Sequence, residues 1–207
     1  MNIALIIAGG NGQRMNQDIP KQFLNVFDRP IIMYTLEAFQ MHPDIHSIMV
    51  VCLDGWEQIL SAYARQFNID KLKWIIPGGA NGQSSIRNGI YELEKHCGGD
   101  DIILVHDAIR PMISQDIISN CITGCRLHGS AIVAIPCAEA ILKKTTESSS
   151  STNVPRETLM RTQTPQAFPL KKLLWAHREA LARGITNSVA SCTLMIELGE
   201  TVHFSVG

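Results

Sequence analysis

Three glycines and two cations near the amino terminus form the part of this sequence best suited to bind phosphate. Residues 8–15 have the sequence AGGNGQRM, and residues 20–22 have the sequence PKQ. Glycine lets backbone N–H groups approach phosphate oxygens closely, while Arg14 offers a planar fork of donors and Lys21 a point charge. We predict that this segment holds the phosphates of a nucleoside triphosphate, although a plain glycine turn between a strand and a helix would also explain the glycines.

Two familiar phosphate-binding motifs do not fit this segment. A Walker loop ends in Gly-Lys-Ser or Gly-Lys-Thr, which is absent here. A dinucleotide-binding fingerprint needs a third glycine where Met15 stands, and an acidic residue about 20 positions further on. The loop is therefore predicted to be of another nucleotide-binding type.

A second candidate segment, residues 106–111, has the sequence HDAIRP and includes a carboxylate. Asp107 is a natural Mg²⁺ ligand, because Mg²⁺ in proteins usually takes few carboxylates together with phosphate oxygens. Arg110 is suited to clamp the phosphate of an acceptor, although an Asp–Arg ion pair in a loop would explain the same two residues. His106 is expected to be packed or hydrogen-bonded rather than a metal ligand, since no second His or Cys lies at ligand spacing.

Two further segments carry little information alone. Residues 78–85, with the sequence GGANGQSS, have small side chains that would let a base or ribose approach. Ser85 can donate a hydrogen bond there, but a helix cap explains Ser84 equally well. Residues 163–168, with the sequence QTPQAF, combine turn chemistry with the hydroxyl of Thr164.

The elements that must position these segments alternate between strands and helices, which predicts a doubly wound, mostly parallel α/β sheet. Ligands bind such sheets beyond the carboxyl ends of their strands, so the segments that follow strands should line one site. Strands are predicted at residues 3–8, 47–53, 72–76, 101–105, 131–136 and 201–206. Helices are predicted at residues 30–41, 56–67, 84–96, 113–127, 170–181 and 190–198, with Gly199 capping the last.

Residues 139–163 break this alternation and are predicted to form a protruding arm. Two extended stretches flank a polar tip that contains four consecutive serines, at 148–151. Such an arm either covers the site or reaches a second subunit, and a plain surface loop is nearly as compatible with the composition.

The composition predicts one soluble domain, residues 1–207. The chain has 207 residues, of which 45% are hydrophobic, and a formal net charge of −1, so no bulk basic field attracts nucleic acid or an anionic membrane. No apolar run approaches the roughly 18 residues of a membrane span, and the apolar start lacks a basic leader. The six scattered cysteines include Cys121 and Cys125, which we expect to be buried small hydrophobes. Reduced thiols fit a cytoplasmic protein.

Taken together, these segments closely resemble the polyol-phosphate cytidylyltransferases, the family of the 2-C-methyl-D-erythritol 4-phosphate and ribitol-5-phosphate enzymes. The most specific pieces are AGGNGQRM with PKQ, VHDAIRP and TPQAF, in register along the chain. The resemblance implies a Rossmann-like fold of the nucleotide-diphospho-sugar transferase type and a homodimer joined by the extended β-arm. It also implies transfer of CMP from CTP to a polyol phosphate, with Mg²⁺ as cofactor and pyrophosphate as product.

The resemblance assigns roles to individual residues. Those assigned to CTP are Ala8, Gly9, Gly10, Arg14, Lys21, Gly79, Ala80, Ser85 and Asp107, with Arg14 and Lys21 on the phosphates and Asp107 also on the metal. Those assigned to the acceptor are Arg110, Thr164 and Arg156, the last reaching into the neighbouring subunit's site from the arm.

Three departures from the methylerythritol pattern matter. Glu139 and Ala140 stand where that branch has Asp-Thr, and residues 187–189 are NSV in place of Asp-Glu-Ala. The sequence also ends at Gly207, before a further phosphate-binding lysine of the family, and we expect it to be incomplete there.

The sequence favours D-ribitol 5-phosphate as the acceptor, because residues 28–31, 54–56 and 84–88 resemble the ribitol branch of the family more than the methylerythritol branch. The alternatives are 2-C-methyl-D-erythritol 4-phosphate, which belongs to isoprenoid precursor synthesis, and a non-catalytic nucleotide-binding homologue. A sugar-1-phosphate nucleotidyltransferase would share the glycine loop and Pro-Lys, but not normally the segments VHDAIRP and TPQAF.

Overall fold

The computed structural model describes residues 1–10 and 19–207, which fold around a central β-sheet. The strands are β1 (Asn2–Ala8), β2 (Asn25–Val26), β3 (Arg29–Pro30), β4 (Ser47–Cys52), β5 (Leu72–Pro77), β6 (Ile102–Asp107), β7 (Ala131–Pro136), β8 (Ile141–Lys143), β9 (Thr152–Val154), β10 (Met160–Pro169) and β11 (Phe204–Val206). The helices are α1 (Ile31–Met41), α2 (Glu57–Gln66), α3 (Gly82–Leu93), α4 (Gln115–His128), α5 (Leu170–Ala182) and α6 (Ser191–Glu197).

The central sheet has the strand order β11-β7-β10-β6-β1-β4-β5. Strand β1 lies between β4 and β6 and pairs with both in parallel, and β5 extends the parallel part beyond β4. Strand β11 is parallel to β7, and β10 is antiparallel to both of its neighbours. The predicted mostly parallel α/β architecture is therefore confirmed.

Helices cover both faces of this sheet, which explains why its inner strands are continuous apolar runs rather than alternating ones. Alternate side chains of β1 point to opposite faces. Ala4 and Ile6 pack in one apolar cluster with α1, α2 and α4. Ile3 and Leu5 pack in the other with α3, α5 and α6.

Strand β10 corrects the interpretation of residues 163–168 as a turn. It runs from Met160 to Pro169 between β6 and β7, and its register with β7 shifts between Thr162 and Gln166. Proline has no N–H to donate and is found in sheets at edges or irregularities, so Pro165 falls in the interrupted stretch. The proline made an inner strand look like a turn in the sequence.

The predicted arm, residues 139–163, divides between two features. Strands β8 and β9 form a hairpin outside the central sheet, and its side chains are largely exposed. Residues 160–163 instead belong to β10, in which residues 160–162 pair with β7. The protruding part is thus shorter than predicted, and its role in dimerisation stays a prediction.

Cys121 and Cys125 are buried on α4, as predicted. Burial in apolar surroundings raises the pKa of each thiol to about 12, so both act as small hydrophobes near neutral pH. Gly199 follows α6 with a φ of 93°, the left-handed conformation typical of a helix C-cap. None of the helices in the described ranges is long and apolar enough to cross a membrane.

Gly89 lets α3 lie directly against the sheet. A Cβ at this position would lie 2.6 Å from Leu5 Cδ1 and 3.0 Å from Val51 Cγ2. We expect Gly89→Val to lower the free energy of unfolding by about 2 kcal/mol, because overpacking outweighs the small gain in helix propensity. Urea denaturation measures this difference, with Asn88→Val on the same helix as the control. Equal stability of the two variants would contradict the close contact.

Candidate active site

A cavity of about 450 Å³ opens at the carboxyl ends of β1, β4, β5 and β6, where ligands bind in sheets of this type. Its volume lies in the range of small-molecule sites. Predicted residues that line it are Ala8, Gly9, Gly10, Lys21, Gly79, Ala80, Ser85 and Asp107. The fold therefore brings residues from three separate sequence segments to one concave surface.

The loops after β1 and β5 touch each other through glycine backbone. A Cβ on Gly78 would lie 3.2 Å from Cys52 O and 3.3 Å from Gly9 Cα, and a Cβ on Gly9 would lie 3.3 Å from Ser85 Oγ. Side chains at these positions would push the loops apart. The glycines at positions 9 and 78 are thus required for the close contact between the two loops.

Ser85 shapes the second glycine loop. Its Oγ accepts a hydrogen bond from Gly79 N at 3.0 Å and donates to Asn81 O at 2.9 Å. The one proton of this hydroxyl is thus donated within the loop, and the predicted contact of Ser85 with the nucleotide stays a prediction. Asn81 caps α3 by accepting from Ser84 N at 2.8 Å, and Ser84 Oγ completes the capping box.

Lys21 reaches the cavity from a short 3₁₀ turn, Lys21–Phe23. Phe23 anchors this turn because it is buried and stacks on Trp56 with ring centroids 4.6 Å apart. Gln22 is also buried, and its amide contacts the first glycine loop. The PKQ triplet was considered for its lysine alone, so sequence reasoning missed Gln22. The lysine is half-buried and lines the cavity.

Asp107 ends β6 and lies beside Arg110 in the turn that follows. Arg110 Nε is 2.7 Å from Asp107 Oδ2, and both side chains are about half exposed. The ion pair considered as an alternative to a binding role is therefore present. It does not remove Asp107 from the site, since Asp107 lines the 450 Å³ cavity and a second one beside it.

The buried side chain of His106 contacts the backbone of the turn that holds Arg110. It is fully buried, packs edge-on against Phe39, and its Nε2 lies 3.0 Å from Arg110 O. Burial lowers the pKa of His106 to about 4, so the ring is neutral near pH 7 and Nε2 carries the proton that it donates to this carbonyl. The prediction of a packed, hydrogen-bonded histidine is confirmed.

The second cavity, of about 250 Å³, holds the predicted residues Arg110 and Thr164. Thr164 Oγ1 accepts from Asp107 N at 3.4 Å, which ties β10 to the end of β6. Uncharged polar residues that line this cavity and that sequence reasoning missed are Thr162, Gln163, Gln166 and Ser191. Apolar residues complete the lining, namely Ile7, Ile86, Val105, Val189 and Ala190. The cavity therefore offers hydroxyl, amide and guanidinium groups beside an apolar wall, a combination that can hold a small polar molecule with a phosphate.

One predicted arginine, Arg156, lines neither of these two cavities. Arg156 lies on an exposed 3₁₀ turn after β9, where its Nε is 3.4 Å from Glu157 Oε1. Arg14 lies outside the described residues, so its predicted contact with phosphate stays a prediction.

Similarity to known proteins extends along the chain. Residues 2–207 match the family model described as IspD, 2-C-methyl-D-erythritol 4-phosphate cytidylyltransferase. The ribitol-5-phosphate cytidylyltransferase of Lacticaseibacillus paracasei is 41% identical over 209 residues, covering 100% of this chain and 89% of the relative.

Two methylerythritol proteins are also similar. The 2-C-methyl-D-erythritol 4-phosphate cytidylyltransferase of Clostridium botulinum is 33% identical, covering 100% of this chain and 88% of the relative. The crystal structure of the protein of that name from Thermus thermophilus has a TM-score of 0.76 at 25% identity, covering 100% of this chain and 89% of that one. The chain therefore belongs to the IspD family, and it is a cytidylyltransferase, a CTP-dependent nucleotidyltransferase.

Proposed function

We propose that this cytidylyltransferase transfers CMP from CTP to D-ribitol 5-phosphate and releases pyrophosphate. The observation that carries the proposal is the pair of adjoining cavities that share Asp107. One is lined by glycine loops and Lys21, which suit a triphosphate. The other has Arg110 with hydroxyl and amide side chains beside an apolar wall, which can accommodate a polyol phosphate.

In the proposed reaction, a phosphate oxygen of the acceptor attacks the α-phosphorus of CTP. A new P–O bond forms there, the bond between the α-phosphorus and the bridging oxygen breaks, and pyrophosphate leaves. The acceptor phosphate is largely dianionic near neutral pH, so no general base is needed. The chain's task is to align the two phosphates and to offset negative charge.

Lys21 and the backbone N–H groups of Gly9 and Gly10 would hold the triphosphate, with Arg14 from the segment outside the described residues. The described residues contain no cluster of three metal-ligating side chains, and a single carboxylate, Asp107, fits Mg²⁺, which takes its other ligands from phosphates and water. When bound, Mg²⁺ would offset charge on the phosphates.

Arg110 would hold the acceptor phosphate. Only its Nε is engaged with Asp107, and a guanidinium has further N–H donors on its two terminal nitrogens. Thr164 would contact the same group. In a homodimer joined through the β8–β9 hairpin, Arg156 would reach the acceptor in the neighbouring subunit.

Two observations support ribitol phosphate over methylerythritol phosphate. The L. paracasei relative, named for ribitol 5-phosphate, shares 41% of its residues with this chain, against 33% for the C. botulinum relative named for the methylerythritol compound. Ala140, in place of the methylerythritol branch's threonine, weakens the methylerythritol alternative, although it does not match the ribitol branch well either.

Pyrophosphate release with CTP and each acceptor tests the proposal. We expect kcat/KM for D-ribitol 5-phosphate to exceed that for 2-C-methyl-D-erythritol 4-phosphate by at least about tenfold. The mismatched polyol would leave polar groups of the site without hydrogen-bond partners, which lowers its kcat/KM. The reverse ratio would support the methylerythritol alternative. No release with either acceptor would support the non-catalytic alternative.

A further inference from the structure

The side chain of Gln22 joins the turn that carries Lys21 to the first glycine loop. Its Nε2 donates to Ala8 O at 2.7 Å and to Gly10 O at 3.0 Å. The residue is 1% exposed, so water does not compete for these bonds. A glutamine amide has two N–H donors on one nitrogen, and here they go to two carbonyls of the same loop.

These two bonds orient the peptide groups of the loop. A trans peptide is planar, with its C=O and N–H pointing in opposite directions. Because the carbonyl of Ala8 points at Gln22, the N–H of Gly9 points to the opposite side of the loop. The next peptide, which carries the N–H of Gly10, lies between two anchored carbonyls. Glycine alone would leave these peptides free to rotate.

The same side chain fixes the distance between the lysine and the loop. Lys21 and Gln22 are neighbours in one 3₁₀ turn, and Phe23 N closes that turn by donating to Pro20 O at 2.8 Å. Gln22 therefore ties the backbone that carries Lys21 to the backbone that carries the Gly9 N–H. Both Lys21 and Gly9 line the 450 Å³ cavity.

We propose that Gln22 is a positioning residue for CTP: it sets the direction of the Gly9 amide and the place of Lys21, so that both meet the triphosphate together. This inference rests on the triphosphate site proposed above. Its alternative is that Gln22 only stabilises the fold by satisfying two buried carbonyls.

Gln22→Met tests the difference, because methionine has a similar length and no donor. We expect the Kd for Mg²⁺-CTP, measured by calorimetry, and the KM for CTP to rise about tenfold, the scale of one misplaced hydrogen-bonding group. The KM for D-ribitol 5-phosphate should stay within twofold. Gln22→Glu keeps the shape but places an acceptor against two carbonyls, and should weaken CTP binding further.

Gln40→Met is the matched control. Gln40 Oε1 accepts from Lys71 N at 2.9 Å, at the amino ends of β4 and β5 and away from the cavity. This variant should lower stability without changing the Kd for CTP. A CTP affinity of Gln22→Met within twofold of the wild type, with only Tm reduced, would overturn the proposal.

A measurement on the unmodified chain does not depend on the folding of any variant. In ¹⁵N-labelled protein, inorganic pyrophosphate should shift the amide proton of Gly9 downfield, as expected for a new hydrogen bond to an anion. An unshifted Gly9 amide at saturating pyrophosphate would overturn the positioning role. Failure of the wild type to bind CTP at all would overturn the triphosphate site itself together with this inference.

Discussion

Lys21→Ala is expected to lower kcat at least ~100-fold, the scale on which one preorganised group at a developing charge acts. Within the described residues, Lys21 is the only cationic side chain that lines the 450 Å³ cavity. In the proposed reaction, negative charge grows on the leaving pyrophosphate, and the ammonium group of Lys21 would offset it. Because the turn around Lys21 is anchored by Phe23 on Trp56, loss of the side chain should leave the fold intact.

Two further variants separate charge from position. Lys21→Arg keeps the positive charge on a bulkier, planar head, and should recover only part of the lost kcat. Lys73→Ala removes an exposed lysine of β5 whose Nζ donates to Asp70 O, and should leave kcat unchanged. The measurement is pyrophosphate release at saturating CTP and acceptor. Near-normal turnover of Lys21→Ala would refute the assignment of this loop.

The order of strands and helices could be predicted because a strand that is buried on both faces of the sheet consists of continuous apolar residues. Strands β1 and β4 are unbroken apolar runs, and the helices between the strands show an apolar face. Strand β10 does not show this pattern: it is antiparallel, carries Pro165, and has four consecutive polar residues, 161–164, before its buried end. Only its pairing with β6 and β7 makes it a strand.

The site could be predicted where residue type alone implies chemistry. Few functions account for glycines that follow a strand, for a lysine near them, or for an aspartate that ends another strand. The fold brings all of these residues to one cavity. The loop contacts of Gln22 and Ser85 could not be predicted in this way. Their functions depend on which carbonyl or N–H lies within 3 Å, and tertiary contact decides that.

Asp107→Asn is expected to lower kcat about 10²- to 10³-fold, since changes one shell further from a metal already cost 10- to 100-fold. Asparagine keeps the size of the side chain and one oxygen, but it removes the charge that pairs with Arg110 and that would bind Mg²⁺ in the proposed site. Loss of the pair with Arg110 should cost at most about 1 kcal/mol of stability, because exposed ion pairs contribute little and both partners are about half exposed. Activity should therefore fall far more than Tm.

Asp100→Asn is the matched control, because it neutralises a carboxylate whose Oδ1 lies 2.6 Å from Lys171 Nζ on an exposed surface. It should leave kcat within twofold of the wild type. For Asp107→Asn, the Mg²⁺ concentration that gives half-maximal pyrophosphate release should also rise, which a purely structural Asp107–Arg110 pair would not cause. If kcat stayed within threefold and the Mg²⁺ requirement did not change, Asp107 would be a partner of Arg110 alone, and the metal assignment would be wrong.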